Sequence, residues 1–151
     1  MSFWQNMREK AGALRDQLAS EVAQFKNRSF MEAAVAACAV IAAADGKVGS
    51  EEKQKMAGFI RMSKELSVFD MSEVIAFFNK MVEHMEFDVD IGRAECLRAV
   101  GKLRGKDKES RLVVRVACAI GASDGNFDDQ EKQAVRMICR DLGLNPADFD
   151  L

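Results

Sequence analysis

A twelve-residue stretch occurs twice in this sequence, 79 positions apart, and the repeat is the strongest constraint on the fold. Residues 41–52 read IAAADGKVGSEE and residues 120–131 read IGASDGNFDDQE, with five identical positions. The apolar segments before the two copies align as well, and Lys-Gln follows both copies. Such a duplication predicts two similar helix-corner-helix units that pack in one bundle with a pseudo-two-fold relation. Two copies are too few for a solenoid.

Apolar spacing and capping residues predict an all-α fold of about seven helices. Apolar residues from Phe3 to Phe25 recur at spacings of three, four or seven, as on one face of a long amphipathic helix. Helices two and three would correspond to helices six and seven. The single Pro and ten Gly favour helices over a sheet. Cap patterns predict that the later helices begin near Ser29, Ser50, Asp70, Asp90, Asp107 and Asp129, and that the last ends before Gly143.

Length and composition predict one soluble domain. Residues 1–151 are enough for a single core, with an amphipathic helix over 1–28 and a repeat-containing bundle over 29–151. The composition is 48% hydrophobic and 30% charged with a formal charge of -2, which gives no bias toward nucleic acid. The apolar run AAVAACAVIAAA stops at 12 residues, short of the roughly 20 that a membrane span needs. Because the polar face of the first helix is mixed and not richly basic, we expect this helix to dock on its own domain.

Each repeated corner has the second half of an EF-hand calcium loop. That loop places oxygen ligands at positions one, three, five, seven and twelve, with Gly at position six. Asp45 and Glu52 fill the fifth and twelfth positions of the first copy, and Ile and Ala fill the first and third positions of both copies. A lone half-loop should bind a cation weakly, because Ile and Ala have no oxygen ligands. The equivalent carboxylates of the second copy are Asp124 and Glu131.

The corner carboxylates have two interpretations, which the sequence leaves open. Asp128 followed by Glu131 is a capping-box pattern, so the corners can be structural without a metal. If the pseudo-two-fold brings the corners together, the carboxylates would repel one another and favour a divalent cation, such as calcium or magnesium, or a basic partner. The candidate metal ligands are then Asp45, Glu52, Asp124, Asp128 and Glu131.

Other chemistry has little support in the sequence. The four cysteines are widely spaced, with no CxxC pair and no secretory signal, which indicates reduced thiols in a cytoplasm. We interpret them as inert core thiols, since all lie at apolar helix positions. His84 is the one imidazole and has no second zinc ligand near it in sequence. No catalytic triad, phosphate loop or dinucleotide fingerprint is present, so we expect no enzyme. The cysteines are Cys38, Cys96, Cys118 and Cys139.

The repeated DG corners, the long N-terminal helix and the all-helical pattern together resemble the TerB family of bacterial tellurite-resistance proteins, over essentially the whole chain. The resemblance implies an all-α protein encoded beside other tellurite-resistance components, among them a calcium-binding family and the integral membrane protein TerC. It also implies a metal-chelating role for Asp45, Glu52, Asp124 and Glu131. Phe127 is a mild departure, because the family pattern has a smaller aliphatic residue there.

We therefore expect a cytoplasmic, non-enzymatic module of tellurite resistance and stress response. It would bind calcium or magnesium weakly and dock on other tellurite-resistance proteins, including a TerC-type membrane protein, which could bring it to the inner face of the membrane. Eight basic residues between Ile91 and Arg115 would form either a solvated helix face or a surface for anionic lipid or an acidic protein. No nucleic-acid reader motif accompanies them. The alternatives are an oxidoreductase or sequestering protein whose cysteines act on tellurium oxyanion, and a metal-free scaffold.

Overall fold

The structure is a computed structural model that describes residues 3–9, 11–123, 125 and 127–151. The all-α class predicted from the sequence is confirmed. The predicted first helix corresponds to α1 and α2, and Lys10 between them lies outside the described residues. Over the described ranges the helices are α1 (Phe3–Glu9), α2 (Ala11–Ala23), α3 (Arg28–Ala42), α4 (Ser50–Met62), α5 (Met71–Phe87), α6 (Val89–Gly101), α7 (Asp107–Gly121) and α8 (Asp129–Leu142), followed by a 3-10 turn at Pro146–Phe149.

Helix α3 lies at the centre of the bundle. From Ala33 onward its Ala-rich sequence is apolar on every side, and all residues from Ala33 to Ala42 are buried. A helix without a polar face must be surrounded by other elements. Helices α4, α5, α6, α7 and α8 all pack against it, and the small Ala side chains leave room for them. None of the helices in the described part of the chain is both long and apolar enough to cross a bilayer.

The element bounds keep the offset of the sequence repeat. Helices α3 and α7 each have 15 residues and begin 79 residues apart, and α4 and α8 also begin 79 residues apart. The first corner (residues 43–49) joins α3 to α4, and the second corner (residues 122–128) joins α7 to α8. The pseudo-two-fold relation between the two pairs stays a prediction.

Three predicted helix caps were wrong by one or two residues. Asn27 caps α3 in place of Ser29, and Asp88 caps α6 in place of Asp90. In both cases the side-chain oxygen accepts a hydrogen bond from the backbone N–H three residues later, at 2.9 and 3.0 Å. Asp107 is the first residue of α7 and not its cap. Where several polar residues stand side by side, the backbone geometry of the chain entry decides which one caps the helix.

The N-terminal helix docks on its own domain, as predicted, and α1 contacts the C-terminal part of the chain. Trp4 stacks on Phe127 with ring centroids 4.8 Å apart, and the Lys132 ammonium lies 5.4 Å above the Trp4 ring. Phe3 meets the ring of Phe149 edge-on, and its backbone N–H donates to the carboxylate of Asp150. These contacts hold α1 against the second corner.

A candidate acidic cleft between the two corners

The backbone turns in the same way at both corners. Gly46 and Gly125 have φ of 86° and 78°, which is the left-handed conformation. Each glycine N–H donates to the carbonyl three residues before it, Ala43 or Ala122, at 2.9 Å. Only glycine adopts this conformation without a steric cost, so the two glycines permit the turn that follows each helix. Asp124 and Asn126, on either side of the second glycine, lie outside the described residues.

Local hydrogen bonds orient the first-corner carboxylates. Asp45 is exposed, and its Oδ1 accepts the N–H of Lys47 at 3.0 Å. Glu52, also exposed, folds back so that its carboxylate occupies the space that a Cβ on Gly49 would need. Glycine at this cap position therefore leaves room for the Glu52 carboxylate beside the start of α4. The Gly49 cap makes no side-chain hydrogen bond.

The second corner contains the predicted capping box. Asp128 Oδ1 accepts the N–H of Glu131 at 2.8 Å, and Glu131 Oε1 accepts the N–H of Asp128 at 3.0 Å. These bonds satisfy two backbone donors that would otherwise lack partners at the start of α8. Both carboxylates thus have a structural role whether or not a cation binds.

Carboxylates from both corners line one cavity of about 200 Å³, which we call the acidic cleft. Asp45 and Glu52 come from the first unit, and Asp128 and Glu131 from the second. The structure thereby places four of the five predicted ligands around one space, and Asp124 lies outside the described residues. The remaining lining residues are Ile41, Ala42, Ala44, Lys55, Met56, Phe59, Gly121 and Gln130.

The cleft also contains a cation of its own, which the sequence reasoning missed. Lys55 lines the cavity, and its ammonium lies 5.8 Å from the centre of the Phe59 ring. A lysine beside carboxylates reduces their mutual repulsion. Among the described residues, no group of three or more acidic, His or Cys side chains is already placed to hold a metal ion. The regular four-residue spacing of Lys55 and Phe59 along α4 could have suggested their contact.

All four cysteines are buried and reduced, as predicted for core thiols. Burial raises the pKa of Cys38 and Cys96 to about 12 and that of Cys139 to about 11. Burial also raises the pKa of Cys118 well above its ordinary value. The thiolate is the reactive form of cysteine, so these environments oppose thiol chemistry at neutral pH.

A buried carboxylate lies outside the cleft, and no pattern in the sequence predicts it. Glu65 follows α4 in a loop and is fully buried. Neither of its carboxylate oxygens has a hydrogen-bond partner among the described residues, and the Arg15 guanidinium lies 3.9 Å away. Burial raises the pKa of Glu65, while the charge of Arg15 partly offsets this effect. Arg15 also donates a hydrogen bond to Ser123 at the second corner. It therefore connects α2 both to the loop that contains Glu65 and to the second corner.

Many of the basic residues between Ile91 and Arg115 are paired within the chain. Lys102 meets Glu32 at 3.9 Å, and Arg115 meets Glu21 at 3.1 Å. These pairs favour the interpretation of a solvated helix face. Other pairs in the same region are Arg98 with Glu95, Arg93 with Asp90, and Arg111 with Asp107 and Asp148.

Comparisons with known proteins add evidence from outside the structure. The family model described as "Tellurite resistance protein TerB" matches residues 31–151, which begin within α3 and include both corners. A tellurium resistance protein TerB from Alcaligenes sp is 44% identical over 116 residues, and the match covers 77% of this chain and 95% of that protein. No solved structure matches the chain.

Proposed function

Because the chain belongs to the TerB family, we propose that it serves in tellurite resistance as a non-enzymatic module that binds a divalent cation weakly in the acidic cleft. The relative from Alcaligenes is named for tellurium resistance, which supports the role in resistance. The observation that supports cation binding is the meeting of Asp45, Glu52, Asp128 and Glu131 around one cavity. Oxygen ligands of this kind suit calcium or magnesium.

Several features of the cleft support a modest affinity. Asp128 and Glu131 already accept backbone hydrogen bonds, and Lys55 already supplies positive charge. An entering cation would have to compete with these interactions and gather carboxylates from two separate corners. We therefore expect a dissociation constant on the order of 10⁻⁴ to 10⁻³ M, as in the weaker calcium modules.

The test is a titration with calcium and with magnesium, followed residue by residue by NMR. The double variant Asp45→Asn with Asp128→Asn is suited to it, because an Asn side-chain oxygen can keep both local hydrogen bonds and removes only the charges. We expect about tenfold weaker binding and unchanged helix content. Asp70→Asn is the matched control, since Asp70 caps α5 by the same kind of bond and does not line the cleft. Equal binding by the double variant would exclude the cleft as the site.

A metal-free scaffold is the second candidate, and the capping box favours it. Asp128 and Glu131 fulfil a structural role at the start of α8 without any cation. In that case the cleft would receive basic side chains of a partner, and the titration would leave the corner resonances unmoved. In either case we propose that the module works in the cytoplasm and reaches the membrane through a protein partner, such as a TerC-type protein.

A further inference from the structure

Two large apolar side chains are exposed at one helix corner. Phe87 is the last residue of α5 and is 85% exposed, and Ile91 in the first turn of α6 is 54% exposed. Among the described residues the one other large hydrophobic exposed to this degree is Met62, at the end of α4. Phe87 and Ile91 stand four residues apart at the same corner, so one partner could contact both side chains. We call these two side chains the patch.

This corner is held in a fixed shape. Asp88 ends α5 and begins α6: its N–H donates to the His84 carbonyl at 3.1 Å, and its carboxylate accepts the N–H of Ile91 at 3.0 Å. A Cβ on Gly92 would overlap the backbone of Met85, so the two helices touch at the corner. A patch that is already ordered loses little conformational freedom on binding.

The patch has an acidic surround. Residues 81–92 include four acids and no Lys or Arg. Lys53 lies 3.6 Å from Glu86, Arg93 lies 3.8 Å from Asp90, and the exposed Lys80 stands one turn before Glu83 on α5, so three bases stand against four acids. The remaining charge is negative, and it would attract a partner rich in Lys and Arg. The acids of the segment are Glu83, Glu86, Asp88 and Asp90.

We propose that this α5–α6 corner docks a partner protein through a basic amphipathic helix. Phe87 would insert as a knob between apolar side chains of the partner helix. The Lys and Arg side chains of the partner helix would face the surrounding acids of this chain. The acidic surround disfavours anionic lipid as the occupant. A second copy fits poorly, because the basic stretch 102–108 exposes no large apolar side chain in the described structure. This inference does not depend on cation binding in the cleft.

The test uses a synthetic 18-residue helical peptide with Leu on one face and Lys on the other. It is titrated into ¹⁵N-labelled protein beside a matched peptide in which Glu replaces each Lys. We expect the basic peptide to shift the resonances of residues 83–91 and to bind at least about tenfold more tightly than the acidic one. The double variant Phe87→Ser with Ile91→Ser should weaken binding about tenfold, while Met62→Ser, the matched exposed control, should not.

Charge and fold have separate controls. Glu83→Gln with Asp90→Asn should weaken binding and reduce its dependence on salt. Thermal unfolding of each variant checks that the fold is kept, as expected for exposed positions. Shifts outside residues 83–91, equal binding of the two peptides, or unchanged binding by the serine variant would overturn the proposal. Self-association that requires Phe87 in ultracentrifugation, or Phe87-dependent binding to anionic vesicles, would also overturn it by assigning the patch to another occupant.

Discussion

At the scale of single residues, the corner carboxylates combine two properties that can be separated. Asp45, Asp128 and Glu131 accept local backbone hydrogen bonds, and the Glu52 carboxylate lies beside the start of α4. All four also contribute negative charge to the cleft. Asn and Gln keep the first property and lose the second. Variants of this kind therefore distinguish a ligand from a cap.

Removing the cap itself should destabilise the protein. We expect Asp128→Ala to lower the free energy of unfolding by about 1 kcal/mol, because the N–H of Glu131 loses its acceptor. Asp128→Asn should change it by less than about 0.5 kcal/mol. Urea unfolding measures both changes. If Asn costs as much as Ala, charge and not the hydrogen bond stabilises the start of α8.

The lysine in the cleft should limit cation affinity. Lys55→Gln removes a positive charge beside the carboxylates, so we expect calcium to bind roughly threefold to tenfold more tightly, as about 1 kcal/mol of charge interaction implies. Calorimetric or NMR titration measures the change. Lys80→Gln, an exposed lysine of α5 that does not line the cleft, serves as the control. An unchanged affinity would mean that the ion binds elsewhere.

The buried Glu65 should make stability depend on pH. Its pKa is raised in the folded protein, so the folded state holds the proton more tightly than the unfolded state. The free energy of unfolding should therefore fall as pH rises from the ordinary value of 4.5 through the raised pKa. Glu65→Gln should remove this decline. The free energy of unfolding of the variant, relative to that of the unchanged protein, should therefore increase with pH. Parallel curves in urea unfolding between pH 4.5 and 8 would contradict the assignment, and Glu83→Gln, at an exposed position, is the control.

At the scale of elements, α1 owes its position to aromatic contacts with the second corner. Trp4 is the one tryptophan and the chain has no tyrosine, so fluorescence reports directly on the stack with Phe127. We expect Phe127→Ala to move the Trp4 emission to longer wavelength and to cost about 1–2 kcal/mol of stability. Phe87→Ala, at an exposed position on another helix, should leave the emission unchanged. An unmoved spectrum in Phe127→Ala would show that the stack does not form.

Element bounds were largely predictable because their signals are local. Gly143 has φ of 74° and ends α8, and Asp70 caps α5 with a hydrogen bond to Ser72 N–H at 2.9 Å, both as expected. The errors arose where acids or amides adjoin, as at Asp88 and Asp90. Sequence periodicity does not determine which of two nearby carboxylates caps a helix, because this depends on the backbone conformation before the first helical residue.

At the scale of the whole molecule, the cleft depends on how α3, α4 and α8 pack together, and the sequence could only partly predict it. The repeat indicated that equivalent corners exist, and the structure places Glu52 and Glu131 around one cavity. The position of Lys55 in the cleft and the burial of Glu65 were not predicted, because each depends on which side chains from distant elements stand opposite it. Such pairings follow from packing and leave no periodic trace in the sequence.

Core burial should also govern the reactivity of the thiols. We expect all four cysteines to react slowly with a thiol reagent in the native protein, with little increase between pH 7 and 9, because burial raises the pKa of Cys38 and Cys96 to about 12, that of Cys139 to about 11 and that of Cys118 well above its ordinary value. A free cysteine, with a pKa near 8.5, would show a large increase over this range. Denaturation in urea should release four reactive thiols. One thiol that reacts rapidly in the native protein would revive the oxidoreductase alternative.

The contact between Phe3 and Asp150 bears on the order in which the molecule can assemble. Residues 147 positions apart share a hydrogen bond, and the neighbouring Trp4 rests on Phe127. During translation, α1 is made before the other described helices, yet its partner Phe127 follows α7 and its partner Asp150 follows α8. Helices α3 to α6 can pack while the chain is still growing, since their partners are closer in sequence. Of the described helices, the earliest in the chain is therefore among the last to find its place.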